Sequence, residues 1–339
     1  MMYDKYINIL VIRLSSIGDI IFCLPFILAL RNTYPNSKIT WLVEKKYTKL
    51  ISNDPCIDSI IEWERDEWEK LLKSRKFSNV LGRIYQFKKM LKKQSFDMVI
   101  DLQGLLKTNL MSWFTGANTR VSLGSEFGGF FFNTVLIRRD SNTKRISSEY
   151  LTLAKKLNLN FSEFRPRYTL PFKKKLKKCE NKSYFVIAPF TTRPQKHWDN
   201  SYWETLVSNL VQKYKSTCYI LGARLNKKQY MLVDLLKKIA VPLIDKTDLM
   251  ETSIIINDAQ FLIGVDTGLT HMSVSLNKPT VAIFGSTCPY LDPINLNSKV
   301  IWLGMQCSPC KRNPTCDGAY TCLKQIYPEQ VINEVSKII

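Results

Sequence analysis

Residues 7–13 (INILVIR) form a near-continuous apolar run of strand length, and the loop Leu14-Ser15-Ser16 carries the chain from it into an apolar stretch that stops near Tyr34-Pro35. A strand feeding a helix through a tight loop is the opening of a doubly wound parallel sheet. Similar apolar runs recur at 38–43 (KITWLV), 57–62 and 97–102 (DMVIDL), and again at 184–188 (YFVIA), 217–221 (TCYIL), 261–264 (FLIG) and 280–284 (TVAIF). Helical or polar stretches space them. The chain is therefore predicted to be α/β, with helices flanking parallel sheets.

At 339 residues, 45% of them hydrophobic, the chain is long enough for two such cores. The lysine-dense segment 170–182 (LPFKKKLKKCENK) lacks apolar periodicity and suits an exposed connector. The expected organisation is a Rossmann-like domain over 1–170, a second over 183–327, and a terminal helix over 328–339. In that helix Val331, Val335 and Ile339 recur at helical spacing after Pro328. The run 20–30 (IIFCLPFILAL) is too short to span a bilayer and contains Pro25, and the N-terminus lacks the pattern of a secretory signal, so a cytoplasmic location is expected. The formal net charge of +20 is spread over both halves. Such an excess draws polyanions without choosing among nucleic acid, anionic membrane and phosphorylated substrate.

Three loops sit where chemistry is placed on such folds, between a strand and the helix after it. In Ser15-Ser16-Ile17-Gly18-Asp19, Asp19 lies in a first helical turn, either to complement the helix dipole or to take a proton from an acceptor hydroxyl. Ser16 and Gly18 are candidate substrate contacts beside it. The loop Thr191-Thr192-Arg193-Pro194-Gln195-Lys196 offers two hydroxyls and two cations, a set suited to a diphosphate, without the Walker pattern. In Asp266-Thr267-Gly268-Leu269-Thr270-His271 an acid ends a strand, Thr267 and Gly268 open a helix, and His271 follows about one turn later.

Cys307, Cys310, Cys316 and Cys322 crowd a short segment (CSPCKRNPTCDGAYTC). In a cytoplasmic chain such spacing favours a tetrahedral structural Zn or Fe site over disulfides, with free or packed cysteines as the alternative. Residues 73–93 hold eight bases and no acid, interleaved with apolar residues. This is the pattern of a basic amphipathic helix facing anionic headgroups or a phosphorylated acceptor, or of a solvated surface helix.

The segments RLSSIGDIIFCLPFILALR, FDMVIDLQGLLKTNL, TTRPQKHWDNSYWETL, GVDTGLTHMSVSLNKPTVAIFGSTCP and CSPC, in this order along nearly the whole chain, resemble the ADP-heptose lipopolysaccharide heptosyltransferases of glycosyltransferase family 9. The resemblance implies a GT-B fold, two Rossmann-like domains facing across a cleft. It also implies inverting transfer of heptose from ADP-heptose to the lipopolysaccharide inner core, Kdo-lipid A or a heptosylated core, with no catalytic metal. By the same resemblance Asp19 is the general base, Lys196 with Thr191, Thr192 and Arg193 meets the donor phosphates, and Asp266, Thr267, Gly268 and His271 hold the diphosphate. The implied partners are the ADP-heptose donor, an anionic lipid-linked saccharide acceptor, and the inner leaflet reached through 73–93, making the enzyme peripheral at the cytoplasmic face of the inner membrane. Relatives that glycosylate autotransporter proteins bind iron at the cysteine segment, so a protein O-heptosyltransferase is the alternative. Many members carry an acid a few residues past the position of Gly222, and this chain does not. A non-enzymatic nucleic-acid-binding protein would suit the charge, but neither an aromatic RNA-binding signature nor helix-turn-helix spacing is present, and no specific nucleic acid is expected. The absence of GxGxxG speaks against a dinucleotide-dependent oxidoreductase.

Overall fold

The computed structural model describes residues 7–74, 77–124, 129–138, 148–170, 183–287, 289, 297–310 and 313–339. The chain divides into two compact units, with the change at Arg165 to Pro166. All but the first residue of the expected connector at 170–182 lies outside the described residues.

The first unit runs β1 (Asn8–Ile12), α1 (Ile17–Thr33), β2 (Lys38–Glu44), α2 (Thr48–Ile51), β3 (Ser59–Trp63), α3 (Arg65–Lys73), α4 (Phe77–Lys93), β4 (Met98–Asp101), α5 (Leu106–Phe114), β5 (Thr119–Gly124), β6 (Val135–Arg138) and α6 (Ser148–Lys156). Its six strands are all parallel in the order β3-β2-β1-β4-β5-β6. β1 is central and buried from Ile9 to Ile12, as its unbroken apolar run requires. α1 starts at Ser16 as N-cap. It ends where Pro35 follows and Arg31 ties the turn down, donating to the carbonyls of Pro35 (3.0 Å) and Ser37 (2.6 Å).

The second unit repeats the plan with β7 (Tyr184–Ala188), α7 (Asn200–Tyr214), β8 (Thr217–Ile220), α8 (Lys227–Leu236), β9 (Val241–Pro242), α9 (Leu249–Asp258), β10 (Leu262–Val265), α10 (Gly268–Ser275), β11 (Thr280–Ile283), β12 (Ser298–Ile301), α11 (Thr321–Lys324) and α12 (Pro328–Ser336). The order is β12-β11-β10-β7-β8-β9, again parallel, the same winding as in the first unit. Local chemistry sets the helix starts: Asp199, Asn226 and Asp248 each accept a backbone N–H from the first turn of α7, α8 and α9. Phe185 and Phe261 stack at 4.9 Å, and Trp198 meets Trp203 edge-on at 5.0 Å, in a core that α12 closes with Val331 and Val335.

Both units are thus Rossmann-like, and the α/β, doubly wound reading stands. The strands β5, β6, β9 and β12 were not anticipated. They are two to six residues long and either lie at a sheet edge or adjoin one, where half-exposed sequence leaves no unbroken apolar run. Among the described residues no helix is long and apolar enough to cross a membrane.

Candidate active site

In this winding the order reverses beside the first strand of each unit, between β1 and β4 and between β7 and β10. Ligands on such sheets bind outside the carboxyl ends of the strands at that point. The motif residues fall there in both units.

In the first unit the loop after β1 presents Asp19 in the first turn of α1. Its Oδ2 accepts from Ser16 N–H at 3.0 Å and Ser16 Oγ at 2.8 Å, and lies 2.9 Å from Arg13 Nη2. Burial opposes ionisation of this carboxyl, but the Arg13 charge and the Ser16 hydrogen bonds outweigh it and hold Asp19 below the usual carboxylate range. Gly18 is buried in the same turn. The loop is braced from β4: Gln103 Oε1 accepts the Leu14 N–H at 2.9 Å, and Arg13 Nη1 donates to the Leu102 carbonyl at 2.9 Å. Sequence reasoning carried the DLQG segment only as part of a resemblance. Its work is to hold the Asp19 loop in place.

Asp101, which opens that segment, is fully buried and accepts the N–H groups of Gln103 (2.9 Å) and Gly104 (3.0 Å). Burial pushes its carboxyl up to about 6 despite those bonds. A carboxyl raised on folding contributes stability that is complete below its unfolded pKa near 4 and lost as pH rises through about 6. Relative to Asp101→Asn, which does not titrate, the wild-type chain should lose on the order of 3 kcal/mol of unfolding free energy between pH 4 and pH 7.5. Denaturant melts of the two proteins at both pH values check this, and a constant difference would refute it.

In the second unit β7 and β10 are neighbours, with Ala188 paired to Gly264. The loops that follow them therefore meet. Lys196 Nζ lies 2.5 Å from Asp266 Oδ2, and His271 Nε2 lies 3.1 Å from Asp266 Oδ1. Thr287, which follows β11, donates its hydroxyl to the same Oδ2. The three side chains of Lys196, Asp266 and His271 are between 10% and 14% exposed. Burial disfavours the Asp266 charge, but the His271 hydrogen bond and the His271 and Lys196 charges hold this carboxyl far below its ordinary range. An ionised carboxylate only accepts, so His271 Nε2 carries the proton in this contact. Thr267 is the N-cap of α10 and Gly268 its first residue, so the partial positive end of that helix opens beside the cluster. Gly264 permits the packing, because a Cβ there would strike Thr270 Oγ1 and the Ala188 side chain.

Thr191, Thr192 and Arg193 share the Lys196 loop, and Thr192 is exposed while Thr191 and Arg193 are half-buried. The Thr191 carbonyl accepts from Gln229 Nε2 at 2.9 Å and lies 2.9 Å from His197 Nε2, which pins the loop. Thr287 was not singled out from sequence, although its place just past a strand end was the available signal. An acid does stand beside the Gly222 loop: Asp245, from the turn after β9, accepts the Arg224 N–H at 2.9 Å.

Cys307, Cys310, Cys316 and Cys322 line one cavity of about 40 Å³ with Gln195 and Ser286 among its walls. All four are free thiols. Burial, helped by the neighbouring thiols, pushes the Cys310 and Cys322 thiols up. Among the described residues no three His, Cys, Asp or Glu side chains are arranged to hold a metal ion, so the expected tetrahedral cage is not assembled in this arrangement.

A family model described as glycosyltransferase family 9 (heptosyltransferase) matches residues 84–320. Lipopolysaccharide heptosyltransferase 1 of Pseudomonas aeruginosa is 24% identical, the match covering 91% of this chain and 87% of that protein. The structure of the E. coli heptosyltransferase WaaC with ADP-2-deoxy-2-fluoro heptose superposes with a TM-score of 0.73 at 20% identity, covering 97% of this chain and 99% of that one. The iron-containing dodecameric glycosyltransferase TibC of enterotoxigenic E. coli superposes with a TM-score of 0.62 at 14% identity, covering 100% of this chain and 77% of that one.

Proposed function

The chain belongs to glycosyltransferase family 9, and we propose that this glycosyltransferase moves a heptose from ADP-heptose to the lipopolysaccharide inner core, onto Kdo-lipid A or an already heptosylated core, with inversion at the transferred carbon. The observation that carries the reading is the largely buried Lys196-Asp266-His271 cluster at the opening of α10, which offers a lysine ammonium with a helix N-terminus behind it. A diphosphate needs both.

In this reading the acceptor hydroxyl attacks the anomeric carbon and gives its proton to Asp19, while the bond to the diphosphate breaks and ADP leaves with the electron pair. Lys196 meets the negative charge that grows on the leaving diphosphate. Thr191, Thr192 and Arg193 supply further donors from the same loop, and Ser16 and Gly18 form the acceptor side of the Asp19 turn. Asp266 has both oxygens occupied, so its part is to orient Lys196 and His271 rather than to touch the donor itself. Incubation with ADP-heptose and Kdo2-lipid A, read by mass spectrometry, should yield acceptor heavier by one heptose. Transfer to protein serine with none to the lipid acceptor would instead favour the protein O-heptosyltransferase alternative.

The membrane partner is read from α4, whose described residues include Arg83, Lys88, Lys89, Lys92 and Lys93 and no acid. Leu81 and Tyr85 stand outward on it, each 67% exposed, and Lys88 Nζ lies 5.0 Å over the half-exposed Trp113 ring of α5. Lysines beside aromatic and aliphatic tips suit an anionic headgroup layer, here the cytoplasmic face of the inner membrane. Arg75 and Lys76 of the same segment lie outside the described residues. Co-sedimentation should show binding to phosphatidylglycerol vesicles, weakened by salt and reduced at least tenfold by joint charge reversal of Lys88, Lys89 and Lys92, at about 1 kcal/mol per base. Equal binding to neutral phosphatidylcholine would remove this reading.

A structural Zn or Fe is supported by the single cavity the four thiols share and by the iron of TibC. An ion must displace their protons, so its uptake should fall at low pH. Elemental analysis after anaerobic purification should find about one Zn or Fe per chain. No metal, with all four thiols open to alkylation in the folded protein, would end the idea.

A further inference from the structure

Every donor that reaches the Asp19 carboxylate from the described residues meets the same oxygen. Arg13 Nη2, Ser16 N–H and Ser16 Oγ all lie within 3.0 Å of Oδ2. Among the described residues none is hydrogen-bonded to Oδ1. The Asp19 side chain is 44% exposed, whereas that of Arg13 is only 6% exposed. Arg13 is also fixed at both ends: its Nη1 donates to the Leu102 carbonyl, and its own carbonyl accepts from Trp41 Nε1 at 3.1 Å. A buried guanidinium held this way cannot swing aside or give up its proton.

We propose that Arg13 is a positioning residue which, with Ser16, commits Asp19 Oδ2 and leaves Oδ1 as the atom that takes the acceptor proton. This rests on the reading of Asp19 as general base. A carboxylate free to turn about its last bond presents either oxygen, whereas three bonds to one oxygen fix the plane and aim the other before substrate arrives. As the acceptor oxygen bonds to the anomeric carbon, its proton passes to Oδ1. The diphosphate departs with the electrons of the broken bond, and Oδ2 keeps its three donors throughout.

The test is the pH profile of kcat/KM. Other titratable groups surround the pair: Cys23 on α1, Glu149 and Tyr150 on α6, and Asp101 at the end of β4. Burial pushes Cys23 up to about 12 and Tyr150 well above its ordinary value, so neither titrates in the assay range. Asp101 does, and the profiles are therefore measured in the Asp101→Asn background as well.

Arg13→Gln should lower the plateau about 10²-fold, the loss that accompanies misplacement of a reacting group by an ångström, and should move the acid limb to higher pH. Arg13→Lys keeps the charge without the fork and should recover the limb and part of the plateau. Ser16→Ala, at an exposed position, should shift the limb the same way by less, and it decides the matter if Arg13→Gln does not fold. A folded Arg13→Gln enzyme with an unmoved acid limb, or an unmoved limb and plateau in Ser16→Ala, overturns the proposal. Asp19→Asn separates the two claims: inactive Asp19→Asn beside unmoved Arg13 and Ser16 profiles sinks only the positioning role, whereas active Asp19→Asn sinks the general-base reading as well.

Discussion

Asp19→Asn should lower kcat for heptosyl transfer by about 10²–10⁴ and leave ADP affinity within about twofold of the wild type. The substitution keeps the shape and keeps an oxygen to accept from Ser16, but an amide cannot take up the acceptor proton. Its expected second effect is on Arg13, whose buried charge loses the partner now 2.9 Å away. A fall in thermal stability should therefore accompany the loss of activity, because an unpaired buried charge is costly. Retention of more than about a tenth of kcat in single-turnover assays would reduce Asp19 to a residue that complements the α1 dipole.

Lys196→Ala should weaken donor binding and slow transfer together, with kcat down about 10²–10³. Two terms act in the same direction. The ammonium that meets the diphosphate is gone, and Asp266, which the Lys196 charge now helps to hold ionised, is left as a buried negative charge beside the place where the phosphates sit. The pair can be dissected by a double-mutant cycle. If Asp266 serves mainly to aim Lys196 and His271, adding Asp266→Asn to Lys196→Ala should cost little more, or recover part of the donor affinity, whereas Asp266→Asn alone should cost at least tenfold. Additive losses would mean that Asp266 touches the donor independently. Isothermal titration with ADP separates the binding part of each effect from the chemical part.

These two residues also differ in how far sequence could assign them. Asp19 and its Ser16 cap belong to one helical turn, so their contact follows from spacing alone. Lys196 and Asp266 stand far apart in the chain, and neither loop by itself names the other as its partner. Their contact exists because β7 and β10 pair side by side and release both loops at the same edge. The cysteine segment shows the limit from the other side. Spacing called for a four-thiolate cage, and folding has gathered the thiols around one cavity without setting them as ligands.

What the sequence determined by itself was the alternation of strands and helices, the apolar central strands, the helix starts around Ser16, Thr267 and Pro328, and the loops that carry the polar side chains. All of these depend on residues within a turn or two of one another, where apolar period, capping oxygens and proline act directly on the backbone. The tertiary structure alone decided the strand order, and with it which loops share an edge, why Gln103 and Leu102 brace the Asp19 turn, and why Thr287 closes on Asp266. Those outcomes rest on pairing between distant segments. Short edge strands such as β9 have too little apolar pattern to announce their place, and a buried side chain finds its hydrogen-bond partner only after the sheet has brought the two together.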